Sequence, residues 1–421
     1  MILNSRNHRA ARRRSGFLMF APLLLAIVGM TPAEPRLRTV DVFPARTHGY
    51  EVYRIPGLLV TQRGTLLAYA EARKGGSGDW GSIDIVMRRS DDGGRTWSPQ
   101  RVIANVAGAK ARNPVSPARV LPGPEAITYN NPIAIADRRP GVVHFLFCIE
   151  YMRAFYMRSD DDGRSFSKPV EITGAFEEFR PKYAWKVIAT GPGHGIQLKN
   201  GRLIVPVWLS LGEGGNGHRP SSASTVYSDD GGATWHAGEI AVPNTEEWVN
   251  ASETVAVQLA DGRVMLNVRT ESPANRRLVT TSADGATGWS TPRFQEELKE
   301  PICFGSIARL SGAGDGRRNR FVFVNPDNLL AGSEAGKPGQ SRDRRNLTVQ
   351  LSYDEGATWT VKRVVDAGWS GYADINRGKD GRMHVLYERG EAGNRFRIAA
   401  LTLATFDLPW LTEGKDRLEG S

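Results

Sequence analysis

Cysteine is almost absent from this chain: among 421 residues only Cys148 and Cys303 occur, each in an apolar run. Two cysteines are too few for a cysteine-rich zinc site. In an exported protein they can pair as a disulfide, whereas buried free thiols behave as small apolar groups. Both alternatives stay open at this point.

Concentrated positive charge is missing as well. The formal net charge is +10, but five of these charges are arginines in the first 33 residues, which hold no acidic residue. Residues 34–421 therefore carry a modest excess, and they contain no run of Lys and Arg with interleaved aromatic residues. This pattern argues against nucleic acid as a partner.

Long hydrophobic runs and helical periodicity are absent after residue 34. The one apolar run, residues 17–30, follows the five arginines and precedes Thr31-Pro32-Ala33, a small-residue cleavage pattern. Because this run is short for a membrane span, the order predicts a secretory signal peptide over residues 1–33, with an uncleaved anchor as the competing interpretation. Arg13-Arg14 resembles a twin-arginine export signal. We therefore expect a secreted or periplasmic protein with no transmembrane domain after signal removal.

A short motif recurs along the rest of the chain in the order Ser-x-Asp-x-Gly-x-Thr/Ser-aromatic. Its copies are residues 90–97, 159–166, 228–235 and 352–359, with a degenerate copy at 282–289. Successive copies begin 69, 69, 54 and 70 residues apart. Asp can bond its own downstream backbone and Gly accepts a positive φ, so each copy predicts a tight turn rather than a catalytic acid.

Regular self-similarity of this kind indicates a repeat architecture. A unit of about 55 to 70 residues fits one four-stranded sheet with its loops, and about six such units fit into residues 34–421. Closure into a ring protects the sheet edges. We therefore predict an all-β fold, a six-bladed β-propeller that forms one catalytic domain over residues 34–421. Two independent β-sandwiches are the alternative, but the even spacing would then be accidental.

Candidate functional residues begin shortly after the predicted signal peptide. Arg54 lies in Tyr53-Arg54-Ile55-Pro56, Arg73 ends a predicted strand, and Asp79 follows in a glycine-rich loop. A loop just past a strand is where a propeller displays functional residues. Taken alone, an arginine here is by default a surface ion pair, whereas Asp79 is equally well explained as a turn former.

Together with later segments, this order of motifs resembles the exo-α-sialidases (neuraminidases) of the bacterial and animal type, which combine an Arg-Ile-Pro motif with Asp-box (BNR) repeats on a six-bladed propeller. The later matching segments are residues 190–198, Glu253, 267–269, 346–352 and 370–372. The resemblance covers essentially all of the predicted mature chain. It implies a glycoside hydrolase that removes terminal α-linked sialic acids from glycoconjugates with retention.

The resemblance also implies a triad of arginines that binds the carboxylate of the sugar, at Arg54, Arg269 and Arg344. The neighbours Arg342 and Arg345 keep the third position open between them. Arginine suits this task because its guanidinium group stays protonated and binds carboxylates through planar, charge-assisted hydrogen bonds. Three arginines around one pocket repel each other unless an anion or a protein carboxylate compensates them, so such a cluster implies an anionic ligand.

The implied catalytic residues are Asp79 as the acid/base, Tyr372 as the nucleophile and Glu253 as its base. A carboxylate nucleophile would be repelled by the carboxylate on the anomeric carbon of the sugar, and a neutral tyrosine avoids this repulsion. A phenol with a pKa of about 10 needs an adjacent base at neutral pH. Sialidases are a known exception to the two-carboxylate rule of glycosidases for this reason.

Three more positions match the family pattern: Glu388 as the carboxylate that orients Arg54, Arg73 as an arginine near the ring substituents, and Asn131 as a pocket residue. His194 has no second ligand at metal spacing, so a structural or pocket-lining role is favoured over a catalytic one. No metal and no cofactor are implied. The expected partners are sialylated glycans, glycoproteins or glycolipids.

Rival functions remain on the same scaffold. One is a carbohydrate-binding propeller without catalysis, against which the presence of Asp79 and Tyr372 argues. Another is a related enzyme that prefers a deaminated sialic acid or transfers the sugar to an acceptor other than water. A structural Asp-box propeller is the third, but it has no reason to carry the arginine set.

Overall fold

A computed structural model describes residues 37–108, 111–117, 126–312, 318–329 and 343–418, with the side chains of residues 395 and 396 excepted. The predicted signal peptide over residues 1–33 lies outside the described residues and stays a prediction. The described residues belong to one unit, Pro35–Ser421. None of the helices in this part of the chain is long and apolar enough to cross a membrane.

Almost all regular structure in the described ranges is β. The strands are β1 (Arg38–Pro44), β2 (Val52–Val60), β3 (Leu66–Arg73), β4 (Ile83–Ser90), β5 (Arg101–Val102), β6 (Tyr129–Ala136), β7 (Val143–Ile149), β8 (Arg153–Ser159), β9 (Val170–Glu171), β10 (Val187–Thr190), β11 (Gly193–His194), β12 (Ile196–Gln197), β13 (Leu203–Ser210), β14 (Ser221–Ser228), β15 (His236–Ala237), β16 (Thr254–Gln258), β17 (Val264–Val268), β18 (Arg276–Ser282), β19 (Arg293–Lys299), β20 (Ser306–Ser311), β21 (Arg320–Pro326), β22 (Arg345–Ser352), β23 (Val361–Arg377), β24 (Met383–Glu391) and β25 (Asn394–Phe406). The two short helices are α1 (Thr173–Glu177) and α2 (Leu408–Leu411).

These strands pair into successive sheets that are antiparallel, except that β11 pairs parallel with β6. They are β2–β5, β6–β9, β13–β15 with β10 and β12, β16–β19, β20–β23, and β23–β25 with β1. The long strand β23 serves two sheets, because its residues up to Trp369 pair with β22 and those from Ser370 onward pair with β24. Strand β1 completes the last sheet by pairing with β25, so the two ends of the described chain meet in one sheet.

The inner strands close the ring. Strand β2 contacts β6, β6 contacts β12, β12 contacts β16, β16 contacts β20, β20 contacts β23, and β23 contacts β2 again. Apolar clusters fill the spaces between adjacent sheets; one of them joins β2 and β3 to β25. The fold is therefore the predicted all-β propeller, its count of six blades stays a prediction, and the alternative of two independent β-sandwiches is excluded.

The recurring motif forms the turn after the third strand of its sheet, as predicted. In the first copy, Asp92 Oδ1 accepts hydrogen bonds from the backbone N–H groups of Arg95 (2.9 Å) and Thr96 (3.0 Å). Ser90 Oγ accepts from Gly94 N (2.8 Å). Gly94 has φ 77°, and a Cβ there would lie 2.3 Å from Leu403, so the turn requires glycine. The degenerate copy at Ser282 makes equivalent bonds through Asp284.

Several inner strands begin with an irregularity that turns side chains out of the ladder. The register shifts between Arg54 and Gly57 in β2 and between Ser370 and Ala373 in β23. Ile55 has φ 55° and Ile302 has φ 57°, a conformation that is rare for a β-branched residue. Such bulges re-aim neighbouring side chains and commonly lie next to active sites.

Both cysteines are buried and free. Cys148 lies in β7 and Cys303 precedes β20. Burial raises the pKa of each thiol to about 12. Of the two alternatives that the sequence left open, the structure therefore shows free thiols.

Candidate active site

A polar cavity of about 280 Å³ opens among the ends of the inner strands. Seven of the nine predicted site residues line it: Arg54, Asp79, Asn131, Glu253, Arg269, Arg344 and Tyr372. The lining is completed by Ile55, Tyr151, Trp208, Asn216, His218, Arg219, Ser221, Asn250, Ser252 and Glu271. The structure thus brings together residues that lie up to 318 positions apart, while their roles stay predictions.

Tyr372 lies at the centre of the site and shares its hydroxyl with two partners. The hydroxyl donates to Glu253 Oε1 at 2.5 Å and accepts from Arg269 Nη1 at 2.6 Å. Arg269 Nη1 also donates to Glu253 Oε2. Burial raises the pKa of Tyr372 well above the usual phenol range, although the charges of Arg269, Arg344 and Arg54 each oppose this rise. The phenol is therefore protonated in the free protein, with a carboxylate in place to accept its proton.

Three guanidinium groups surround the ring of Tyr372. The Cζ atoms of Arg344, Arg54 and Arg269 lie 5.3, 5.4 and 5.9 Å from the ring centroid. Arg54 pairs with Glu388 and Arg269 with Glu253, whereas Arg344 forms no ion pair with a described residue. Arg54 also lies 3.5 Å from Asp79, so the guanidinium of Arg344 is the one of the three without a carboxylate partner among the described residues, and it favours an anionic ligand.

Glu388 stands behind the cavity and ties three elements to each other. Its Oε1 accepts from Arg54 Nε at 3.0 Å and from Ile55 N at 3.2 Å, and its Oε2 accepts from Tyr372 N at 3.2 Å. The carboxylate is 2% exposed. A Cβ on Gly371 would lie 2.0 Å from Glu388 Oε2, so only glycine leaves room for this carboxylate. Glu388 thus fixes the first arginine and the backbone of the tyrosine together.

Asp79 lies at the cavity wall, in the loop that follows β3, with 42% of its side chain exposed. Its Oδ1 accepts from Arg73 Nη1 at 3.0 Å and lies 3.5 Å from Arg54 Nη1. Burial opposes ionisation of this carboxyl, but the charges of Arg73 and Arg54 outweigh it and hold the pKa of Asp79 well below its usual range. In the free protein Asp79 is therefore ionised.

Arg73 is 1% exposed and does not line the cavity itself. It bonds Glu71 Oε2 through Nε (3.0 Å) and Nη2 (2.6 Å), and Gly78 O through Nη1 (2.8 Å). The other oxygen of Glu71 accepts from Asn131 N at 2.8 Å. Arg73 therefore reaches the cavity through the loop that carries Asp79, and Asn131 is anchored by the same buried carboxylate.

The sequence left the third arginine position open, and of the described arginines there Arg344 is the one at the cavity. Arg344 lines the cavity and donates through Nη2 to the carbonyl of Ile302. Arg345 points elsewhere: it pairs with Asp343 at 3.0 Å, and its Cζ lies 4.7 Å from the ring centroid of Trp369. Arg342 lies outside the described residues.

Sequence reasoning missed a second wall of the cavity. His218 lies among aromatic rings, 5.0 Å from Tyr151 and 5.2 Å from Trp208 between ring centroids. Nearby, Arg219 pairs with Glu271 at 2.6 Å. No motif marks these residues in the sequence.

The buried carboxylate of Glu71 could have been predicted from the sequence, since it lies among the apolar residues of β3.

His194 is placed away from this cavity, as a structural role requires. Its Nδ1 lies 2.8 Å from Oδ1 of the fully buried Asp374. The same Asp374 accepts from Leu58 N and Ser306 Oγ, at 2.8 and 2.7 Å. His194 therefore belongs to a network that joins the strands β2, β11, β20 and β23.

Comparison with known proteins agrees with the propeller architecture. The model of the BNR repeat-like domain matches residues 64–385. The sialidase of Micromonospora viridifaciens is 30% identical over 98% of this chain and 62% of its own length. The sialidase of Bacteroides fragilis is 26% identical over 90% of this chain and 67% of its own length.

Among solved structures, the Hadza microbial sialidase Hz136 matches with a TM-score of 0.70 and 25% identity, covering 89% of this chain and 69% of that chain. The chain spans about two thirds of the length of these bacterial relatives. Fold and site define a β-propeller built from BNR repeats. The chain belongs to the sialidase family of these propellers.

Proposed function

We propose that the protein is an exo-α-sialidase that hydrolyses terminal α-linked sialic acids from glycans, glycoproteins or glycolipids with retention of configuration. The observation that carries the proposal is the hydrogen bond between the Tyr372 hydroxyl and Glu253, set inside a ring of three arginines. Its relatives from Micromonospora viridifaciens and Bacteroides fragilis are sialidases, which supports the same substrate class. We also propose that the protein is secreted or periplasmic, on the strength of residues 1–33.

Binding comes first in this mechanism. The carboxylate of the sugar bonds Arg54, Arg269 and Arg344, and it gives Arg344 the anionic partner that it lacks among the described residues. The anomeric carbon then lies over the Tyr372 hydroxyl. Because one of the charges that hold Asp79 ionised belongs to Arg54, neutralising Arg54 with the substrate carboxylate raises the pKa of Asp79 and favours the protonated acid.

Glycosyl transfer to the enzyme follows. The Tyr372 oxygen attacks the anomeric carbon while its proton passes to Glu253, and the bond to the leaving oxygen breaks as Asp79 protonates that oxygen. The neutral nucleophile avoids repulsion by the substrate carboxylate. In the second half, Asp79 removes a proton from water, the water oxygen attacks the same carbon, and Tyr372 leaves with its proton returned from Glu253. Two inversions at one carbon give retention.

The test is hydrolysis of an α-linked sialyl-oligosaccharide, whose leaving group needs protonation, by the purified protein and its Tyr372→Phe and Asp79→Asn variants. Tyr387→Phe is a matched control, since Tyr387 is buried and bonds Asp366 at 2.9 Å outside the cavity. We expect turnover by the wild type and by the control, and its loss in the two site variants. NMR of the first product should show the α anomer. A folded wild type without turnover would refute the proposed function.

A further inference from the structure

A second buried ion pair lies close to the arginines without lining the cavity. Arg277 and Glu300 are both 0% exposed, and Arg277 Nη1 lies 2.5 Å from Glu300 Oε2. Taking two charges out of water is costly, and such a pair is often no more stabilising than apolar residues of similar size. A contribution to stability therefore does not explain why this ion pair is present. Its other hydrogen bonds show which segments it connects.

On one side Arg277 hydrogen-bonds to the strand that leads to Arg269. Its Nε donates to Asn267 Oδ1 at 2.7 Å and its Nη2 donates to the backbone carbonyl of Asn267 at 3.1 Å. Asn267 lies in β17, and the chain leaves this strand at Val268 to reach Arg269 directly. Arg277 thus fixes the backbone from which the second arginine of the cavity projects.

On the other side the ion pair hydrogen-bonds to Cys303, which follows the residue that accepts a hydrogen bond from Arg344. Glu300 Oε1 accepts from Cys303 N at 2.7 Å, and Arg277 Nη1 donates to Cys303 O at 3.1 Å. Ile302, which lies between Glu300 and Cys303 in the chain, has φ 57°. Its carbonyl accepts the one hydrogen bond that Arg344 donates to a described residue. An isoleucine in the left-handed region is strained and persists only where its surroundings hold it.

We propose that Arg277 and Glu300 are positioning residues that set the distance and orientation of Arg269 relative to Arg344, and so tune the binding of the substrate carboxylate. The identification of that carboxylate rests on the proposed function. The chain of contacts runs from Arg269 through Asn267 and Arg277 to Glu300, and from there through the Ile302 carbonyl to Arg344. It joins two sheets that carry two of the three arginines.

The first test separates KM from kcat. Arg277→Lys keeps one charge but cannot reach Asn267, Glu300 and Cys303 together, and Glu300→Gln keeps the shape but removes the charge. A carboxylate held equally in the ground state and the transition state contributes to KM rather than kcat. We therefore expect KM for an α-sialoside to rise about tenfold or more in both variants, with kcat changed by less than about threefold.

A matched control distinguishes positioning from loss of stability. Arg320 and Asp416 form another ion pair of low exposure, 4% and 10%, at 2.7 Å and outside the cavity. Arg320→Lys should lower the melting temperature as Arg277→Lys does, but leave KM unchanged. If Arg277→Lys and Glu300→Gln also lower only the melting temperature, the pair is merely structural and the proposal is overturned.

The second test asks whether Glu300 acts through Arg344. In an Arg344→Ala background, adding Glu300→Gln should raise KM by a smaller factor than it does in the wild type, because one of the two arginines that the pair positions is gone. Full multiplication of the two separate effects would contradict the proposal.

A crystal structure of the Glu300→Gln variant supplies a readout that needs no substrate. Arg344 should leave the Ile302 carbonyl and change its distance to the Tyr372 ring. Unchanged positions of Ile302 and Arg344 would overturn the inference even in an active enzyme. Absence of turnover by the wild type would instead refute the proposed function and leave this structural readout intact.

Discussion

The hydroxyl of Tyr372 lies 2.5 Å from Oε1 of Glu253, although 119 residues separate the two in the chain. Glu253 directly precedes β16 and Tyr372 lies within β23, so the ring closure of the propeller brings them together. A buried phenol alone is a weak nucleophile, because burial raises its pKa. The contact with Glu253 supplies the missing base, and the guanidinium groups around the ring favour the phenolate that forms as the proton leaves.

The first prediction concerns this base. Glu253→Gln keeps a hydrogen-bond partner for the Tyr372 hydroxyl but cannot accept its proton. We expect kcat for an α-sialoside to fall by about 10²–10⁴-fold, the usual contribution of a general base. Glu355→Gln, which removes a carboxylate paired with Arg309 outside the cavity, is the control. Wild-type kcat in Glu253→Gln would mean that the phenol loses its proton by another route.

The second prediction concerns Asp79 and depends on the leaving group. An alkyl sugar leaves poorly without protonation, whereas an aryl alcohol of low pKa leaves without help. Asp79→Asn should therefore lose about 10²–10⁴-fold in kcat/KM on a sialyl-oligosaccharide and much less on an aryl sialoside. Steady-state kinetics on both substrates, with Asp84→Asn as the control variant, measures the difference. Equal losses on the two substrates would contradict an acid role for Asp79.

The parts of this structure that the sequence predicted are those with local chemistry. Each Asp box forms its turn from residues within one short segment, so the repeats and the propeller could be inferred from their spacing. Tyr372 and Glu253 were identified only through resemblance to a family, because no local pattern connects residues of different sheets. The pair of Arg277 and Glu300 was not predicted, because the sequence does not show whether a charged residue faces solvent or the interior.

Arg344 and Arg345 show a further limit. Neighbouring residues in an extended segment project to opposite sides, so one of the two must face the cavity and the other must not. The sequence alone leaves this choice of side open. The structure decides it through the partners of each arginine, which are the Ile302 carbonyl for Arg344 and Asp343 for Arg345.

The third prediction uses these two arginines as their own control. Arg344→Ala removes a cavity donor, and loss of a charge-assisted hydrogen bond to a bound anion costs about 1.5–3 kcal/mol. We expect KM for an α-sialoside to rise by about 10- to 100-fold. Arg345→Ala breaks a partly exposed ion pair and should leave KM within about twofold of the wild type. A larger effect at Arg345 than at Arg344 would contradict the assignment.

The fourth prediction concerns stability and pH at His384, which lies in β24 and is 1% exposed. Its Nδ1 lies 3.1 Å from Thr405 Oγ1. Burial, aided by the charges of Arg38 and Arg382, lowers the pKa of His384 from 6.5 to about 4. The folded protein therefore holds this histidine neutral, while the unfolded chain takes up a proton once the pH falls below about 6.5.

Because the unfolded state binds more protons in this range, the stability that His384 contributes is present above pH 6.5 and is lost as the pH falls toward 4. The loss amounts to at most about 3 kcal/mol. His384→Asn, which keeps a polar group near Thr405, should flatten the decline in unfolding free energy measured by urea titration between these pH values. His236→Asn, at a side chain that is 51% exposed, should retain the wild-type decline. Identical slopes for the wild type and His384→Asn would contradict this prediction, since they would show that His384 titrates alike in the folded and unfolded states.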